Sequence, residues 1–226
     1  MSEIPTRVIQ PFDLLGSAPD SEVTKAFLDN LYTSVKQNTE SLTSSELVPI
    51  VKIYPDKTVY HSYPDLGIDL EFRPDYTNQL QLISIDIENH ERNEDELIQS
   101  EANQPIEFLK SRRRNIKKPP SPYSGYPILI EIKSETSAQL PQPKLILTPK
   151  TTGKEFLESL GEPTRKGGPD VLRSGSGIWL EWTWSSVKTI KYGLFVQWRG
   201  AASVGPGKWE KGGDRKWGTL KMFLDP

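Results

Sequence analysis

The chain has 226 residues, 35% of them hydrophobic and 26% charged, with 19 Pro, no Cys and two His, His61 and His90. That length holds one large domain or two small ones. The missing cysteines remove disulfide frameworks, thiolate metal sites and cysteine nucleophiles, and two histidines leave little room for imidazole chemistry. A net charge of −2 conceals a division at residue 100: 7 Lys and Arg stand against 18 Asp and Glu before it, a net of −11, and 21 against 12 after it, a net of +9.

Met1-Ser-Glu-Ile-Pro5 shows no basic region leading into an apolar core, and no run approaches the roughly 18 to 20 apolar residues of a membrane span. A cytoplasmic protein is expected. Phe12-Asp-Leu-Leu15 is a short apolar cluster broken by Gly16 and Pro19, predicting a turn that tucks Leu14 and Leu15 into a core. Val23, Phe27, Leu31 and Val35 then recur every fourth residue beside Leu28, predicting a helix capped by Asp20 or Ser21 and running to about Val35. Residues 36–45 read as a loop.

Strand signals follow. Val48 to Tyr54 and Thr58 to Tyr63 are rich in β-branched and aromatic residues and end at Pro55-Asp56 and Pro64-Asp65, the pattern of a meander. In Gly67-Ile-Asp-Leu-Glu-Phe72, apolar Ile68, Leu70 and Phe72 alternate with Asp69 and Glu71, which are expected to face water. Leu80 to Ile87 repeats the device, with Leu82, either Ile83 or Ser84, Ile85 and Ile87 competing for the buried side.

From Glu88 to Tyr126 the pattern weakens through an acidic run, Glu91 to Glu96, a basic run, Lys110 to Lys118, and Pro119-Pro-Ser-Pro122. This is the expected connecting segment. Ile128 to Ile132 is strand-like. Thr152 followed by Glu155 is a capping box, with Phe156, Leu157 and Leu160 as the buried face of a helix, Gly161 as its stop and Pro163 beyond it. Three further strands are expected, at Gly177 to Trp182, Gly193 to Trp198 and Trp217 to Leu224.

These elements predict an α+β protein of two tandem lobes, each an antiparallel sheet packed by one or two helices, with a polar Pro-rich insert. The acidic N-terminal lobe spans 1–90, the connecting segment 91–127 and the basic, Trp-rich C-terminal lobe 128–226. Gly67-Ile-Asp-Leu-Glu-Phe72, Gly177-Ile-Trp-Leu-Glu-Trp182 and Gly193-Leu-Phe-Val-Gln-Trp198 share one pattern of glycine, apolar, any, apolar, polar and aromatic residues. Both a degenerate duplication and the ordinary alternation of unrelated strands produce it.

Phe12-Asp-Leu-Leu-Gly16 with Ser21-Glu-Val23, then Asp65-Leu-Gly-Ile-Asp-Leu70, Tyr123-Ser-Gly-Tyr-Pro127 and Leu160-Gly-Glu-Pro163, resemble a loosely defined group of two-lobed microbial proteins. The Leu-Gly-Glu-Pro step after a short helix is also similar to the helix-plus-antiparallel-sheet repeat of beta-lactamase inhibitor proteins and of small outer-membrane assembly lipoproteins. The chain departs from these families in having no signal-peptide pattern, no lipidation cysteine and none of the inhibitor's disulfides, and in carrying the basic insert. The resemblance implies a fold that mostly binds other proteins.

Four tryptophans are the candidate binding residues. Alternation along one strand puts Trp182 and Trp184 on one face and Trp179 on the other, and Trp198 stands in the next strand. Large aromatics on a second face suit a contact surface, although layers packed on both faces would also account for them. Lys110, Arg112, Arg113, Arg114, Lys117 and Lys118 form a basic patch that suits nuclear import, phosphate binding, pairing with the acidic lobe, or a solvated loop. It lacks the interleaved aromatics of base-stacking surfaces, so nucleic acid is not the expected partner. The glycine-rich segments do not match a phosphate loop, and no catalytic residue, metal ligand or cofactor is assigned.

The expected function is non-enzymatic protein recognition through the aromatic surface of the C-terminal sheet, with an unidentified protein partner steered by the +9 half. The alternatives are a hydrolase of sugars or phosphates using paired carboxylates such as Asp69 and Glu71, or Asp86 and Glu88, and a nuclear protein using residues 110–118.

Overall fold

The computed structural model describes residues 10–38, 48–89, 123, 125–131, 144–168, 176–185, 191–199 and 213–225. His90, the acidic run, the basic patch Lys110 to Lys118, the Pro-rich stretch and Trp209 lie outside the described residues.

A 3-10 turn, Pro11–Leu14, buries Leu14 completely and leads into helix α1, Glu22–Asn38. Ser21 is the cap: its Oγ accepts from the Thr24 amide at 3.3 Å, satisfying one of the free N–H groups of the first turn. Phe27, Leu28 and Leu31 form the buried stripe set by the four-residue spacing.

The first meander consists of β1 (Ile50–Ile53), β2 (Val59–Tyr63), β3 (Ile68–Pro74) and β4 (Leu80–Glu88). β5 (Ile128–Glu131) and β6 (Lys144–Leu147) pair with each other apart from it. Helix α2, Gly153–Leu160, precedes β7 (Arg165–Gly167), β8 (Ser176–Ser185), β9 (Lys191–Arg199) and β10 (Thr219–Asp225). The predicted capping box is present: the Thr152 amide donates to Glu155 Oε2 at 2.6 Å, and Thr152 Oγ1 accepts from the Glu155 amide at 3.4 Å. Gly161 ends the helix at φ 76°, a region that glycine enters without the Cβ penalty.

The fold is α+β, dominated by one antiparallel sheet of eight strands in the order β1-β2-β3-β4-β10-β9-β8-β7. β4 meets β10, so the strands of the two halves of the chain lie in one sheet. A single apolar core runs from Leu14 to Met222 and includes Phe156, Trp182, Trp198 and Trp217. Tyr123, inside the expected connecting segment, is also part of it. No helix among the described residues is long and apolar enough to cross a membrane.

Two local expectations are corrected and one open alternative is resolved. Leu157 is 40% exposed, because the buried side of α2 is carried by Gly153, Phe156 and Leu160. Glu71 does not face water: it is 2% exposed. The competition along β4 is settled by a bulge, since Glu71 pairs with Ser84 and Phe72 with Leu82, leaving Ile83 as the extra residue. Leu82, Ile85 and Ile87 thereby share the core face, while Ser84 and Asp86 turn to the opposite one.

Candidate functional site

Alternation divides the sheet into two faces. The core face presents Ile68, Leu70, Phe72, Leu82, Ile85, Ile87, Leu194, Val196, Leu220 and Met222, all buried. The register aligns the other residues in rows across an outer face. One row runs Ser62, Asp69, Asp86, Lys221, Phe195, Glu181 and Arg165. The next runs Tyr60, Glu71, Ser84, Phe223, Gly193 and Thr183.

The N-terminal half of this face is an ionic cluster. Both Glu71 carboxylate oxygens are occupied: Arg73 Nη2 donates to Oε1 at 2.8 Å, while Ser84 Oγ and Lys221 Nζ donate to Oε2 at 2.8 and 3.1 Å. Burial alone would raise the Glu71 pKa, but the hydrogen bonds from Ser84, Lys221 and Arg73 outweigh it and hold the group below its ordinary value. Lys221 also lies 3.4 Å from Asp86 Oδ2. Asp86 responds in the opposite sense. Its loss of solvent outweighs the pull of Lys221, and Glu71 and Asp69 add repulsion, so its pKa is pushed up to about 6. Lys221 is raised because the attraction of the two carboxylates exceeds its own desolvation.

The C-terminal half of the face is aromatic. Trp179 and Phe195 stack with centroids 5.6 Å apart and planes at 28°. The Arg165 guanidinium lies 5.9 Å from the Trp179 ring centre and its Nε is 3.5 Å from Glu181 Oε1. Two strand glycines make room for these rings. Gly167 pairs with Trp179, whose ring sits where a Cβ would go, and Gly193 lies likewise under the ring of its partner Phe223. Each aromatic covers the backbone that its neighbour leaves bare.

The structure separates the four candidate tryptophans. Trp182 and Trp198 are 3% and 1% exposed on the core face, both against Phe156 of α2. Their indole N–H groups donate to the carbonyls of Gly161 and Arg215 at 3.1 and 3.0 Å, which satisfies the polar atom that burial of Trp requires. Trp184 is on that side too, half-buried with its ring 5.6 Å from Phe12. Of the four, Trp179 alone belongs to the outer face, where its ring meets Phe195 and Arg165.

The other outer-face residues leave only a faint trace in the sequence. Lys221 and Phe223 alternate with Leu220 and Met222, which marks two faces in β10. Nothing in the sequence links Lys221 to Glu71, 150 positions earlier. Among the described residues, no group of three or more His, Asp or Glu side chains is arranged to hold a metal ion. No family model matches the chain, and no curated protein or solved structure is similar to it at a significant level.

Proposed function

We propose that the protein is a non-enzymatic recognition module that binds a protein partner on the outer face of its C-terminal strands. The observation carrying this reading is the patch of Trp179, Phe195 and Phe223, contributed by three adjacent strands and bordered by Arg165, Glu181 and Lys221. Half-buried aromatics beside a cation and a carboxylate have the composition of binding hot spots. The net charge of +9 after residue 100 favours an acidic partner and a salt-dependent rate of association.

The two-lobed architecture and the likeness to protein-binding helix-plus-sheet repeats belong to the same proposal. In each half a helix precedes a four-strand meander, and the meanders join through β4 and β10. The test is affinity capture with the whole chain as bait, in parallel with Trp179→Ala and Phe195→Ala. A protein retained by the native chain and lost from both variants, but kept by Leu157→Ala, supports the reading. Equal capture by all four baits overturns it.

A second reading rests on Asp86. Its carboxyl, with a pKa pushed up to about 6 and 3.4 Å from Lys221, can exchange a proton near neutral pH, as the acid of a hydrolase must. Three donors occupy Glu71, so Asp86 would carry proton transfer alone. Assays of the native chain and Asp86→Asn against glycoside and phosphate-ester substrates decide it, a loss of turnover in the variant being the supporting result.

A further inference from the structure

The two edges of the large sheet are built differently. β7 is three residues long and carries exposed Arg165 and Lys166, which blunt it. β1 is Ile-Val-Lys-Ile, exposed on both faces, with Val48 and Ile53 more than 70% open and Ile50, Val51 and Tyr54 about half open. A natural sheet seldom leaves five large apolar side chains along one edge.

The hairpin fixes which backbone groups face outward. The Tyr54 amide donates to the Thr58 carbonyl at 2.9 Å, so Tyr54 turns its polar groups toward β2. Antiparallel pairing alternates this direction, and Ile53 is opposite Val59 while Val51 is opposite His61. Lys52 and Ile50 therefore bond inward, and Val51 and Ile53 point their N–H and C=O groups away from the sheet. Together they present two donors and two acceptors in strand geometry.

Lys52 selects among occupants. It is exposed, and among the described residues no carboxylate pairs with it. A second copy of the chain, paired so that Val51 and Ile53 exchange all four bonds, would set Lys52 against its own counterpart, where side chains approach most closely. Shifting the pairing to centre on Val51 would set Lys52 against Ile50 and leave the Ile53 carbonyl unmatched. Neither arrangement supplies a counter-charge.

We propose that β1 is a docking edge for an extended segment of another protein, which adds to the sheet as an antiparallel strand. Its apolar residues lie opposite Val51 and Ile53, and an Asp or Glu between them faces Lys52. Main-chain bonds supply the affinity and the charged position supplies selectivity. This site is distinct from the aromatic face and does not depend on it.

The probe is an acetylated, amidated peptide of alternating Val and Thr with one central Asp flanked by Val, compared with the same peptide carrying Lys at the centre. Binding to the isotope-labelled whole chain is followed by amide NMR. The Asp peptide is expected to shift and protect the Val51 and Ile53 amides and to bind about two- to fivefold more tightly than the Lys peptide. Lys52→Glu should reverse that order. Val51→Pro, which removes an outward donor and no ladder bond, should abolish binding while leaving the thermal midpoint within a few degrees. Trp179→Ala should leave peptide binding intact, which keeps this test separate from that of the aromatic face. Absence of shifts at Val51 and Ile53 at millimolar peptide, or an unchanged preference in Lys52→Glu, overturns the proposal. So does a native dimer that Val51→Pro dissociates, because the occupant is then a second copy.

Discussion

Lys221 in the last strand bonds to Glu71 in the third at 3.1 Å, a single contact across β4 that ties residues 150 positions apart. Glu71 is almost fully buried, so its charge depends on the three donors around it. Lys221→Met should destabilise the protein by about 2 to 3 kcal/mol, below the usual cost of breaking a buried pair because Arg73 and Ser84 remain and the lysine is partly solvated. Urea unfolding measures this. Lys221→Met combined with Glu71→Gln should cost less than the sum of the single changes, since the double variant no longer strands a buried carboxylate.

The same cluster makes stability depend on pH in two opposite ways. Glu71 titrates below its ordinary value, so its contribution is full above the unfolded carboxylate pKa and disappears as acid protonates it in the fold. Asp86 titrates near 6, above the ordinary 3.8. Between those values the folded state holds a proton that the unfolded chain has released, so this term weakens as pH rises from 4 to 6. Asp86→Asn should therefore gain stability relative to the native chain at pH 7.5 but not at pH 4. Carboxyl NMR should place the Asp86 midpoint near 6.

Gly193 pairs with Phe223, whose ring fills the space of a missing side chain. Gly193→Val should lower stability by about 1 to 3 kcal/mol through overpacking. Phe223→Ala added to it should restore part of the loss. An equal loss with and without Phe223 would show that the backbone, rather than the ring, sets the requirement.

The tryptophans should divide sharply on truncation. Trp182→Ala or Trp198→Ala opens a cavity beside Phe156 and strands a carbonyl, at a cost of about 3 to 5 kcal/mol. Trp179→Ala removes a stacked but partly solvated ring and should cost about 1 kcal/mol. Thermal unfolding of the three variants separates core from surface roles.

Much of this architecture is legible in local pattern. The α2 boundaries follow from Thr152, Glu155 and Gly161, and the alternation at Ile68, Leu70 and Phe72 reports a one-sided sheet. β6 escapes notice because its Leu145 and Leu147 alternate over only four residues beside a Pro-rich stretch, and β7 because Arg-Lys-Gly carries no apolar signal. The burial of Glu71 is invisible for a different reason: its partner Lys221 is distant in sequence, and alternation predicts the face a side chain takes without predicting what covers that face. The Trp cluster misleads in the same way. Period two separates Trp179 from Trp182 correctly, yet only α2 and Phe156 reveal which side is the interior.

The position of β10 sets a schedule for synthesis. This strand is late in the chain but fills the middle of the sheet, between β4 and β9. Until residues 219–225 leave the ribosome, β4 and β9 are both raw edges, and the first meander must wait for its neighbour while the 130 residues between Glu88 and Thr219 are made. The Lys221–Glu71 contact forms only when that strand inserts. It marks the moment at which two aggregation-prone borders become the centre of one sheet.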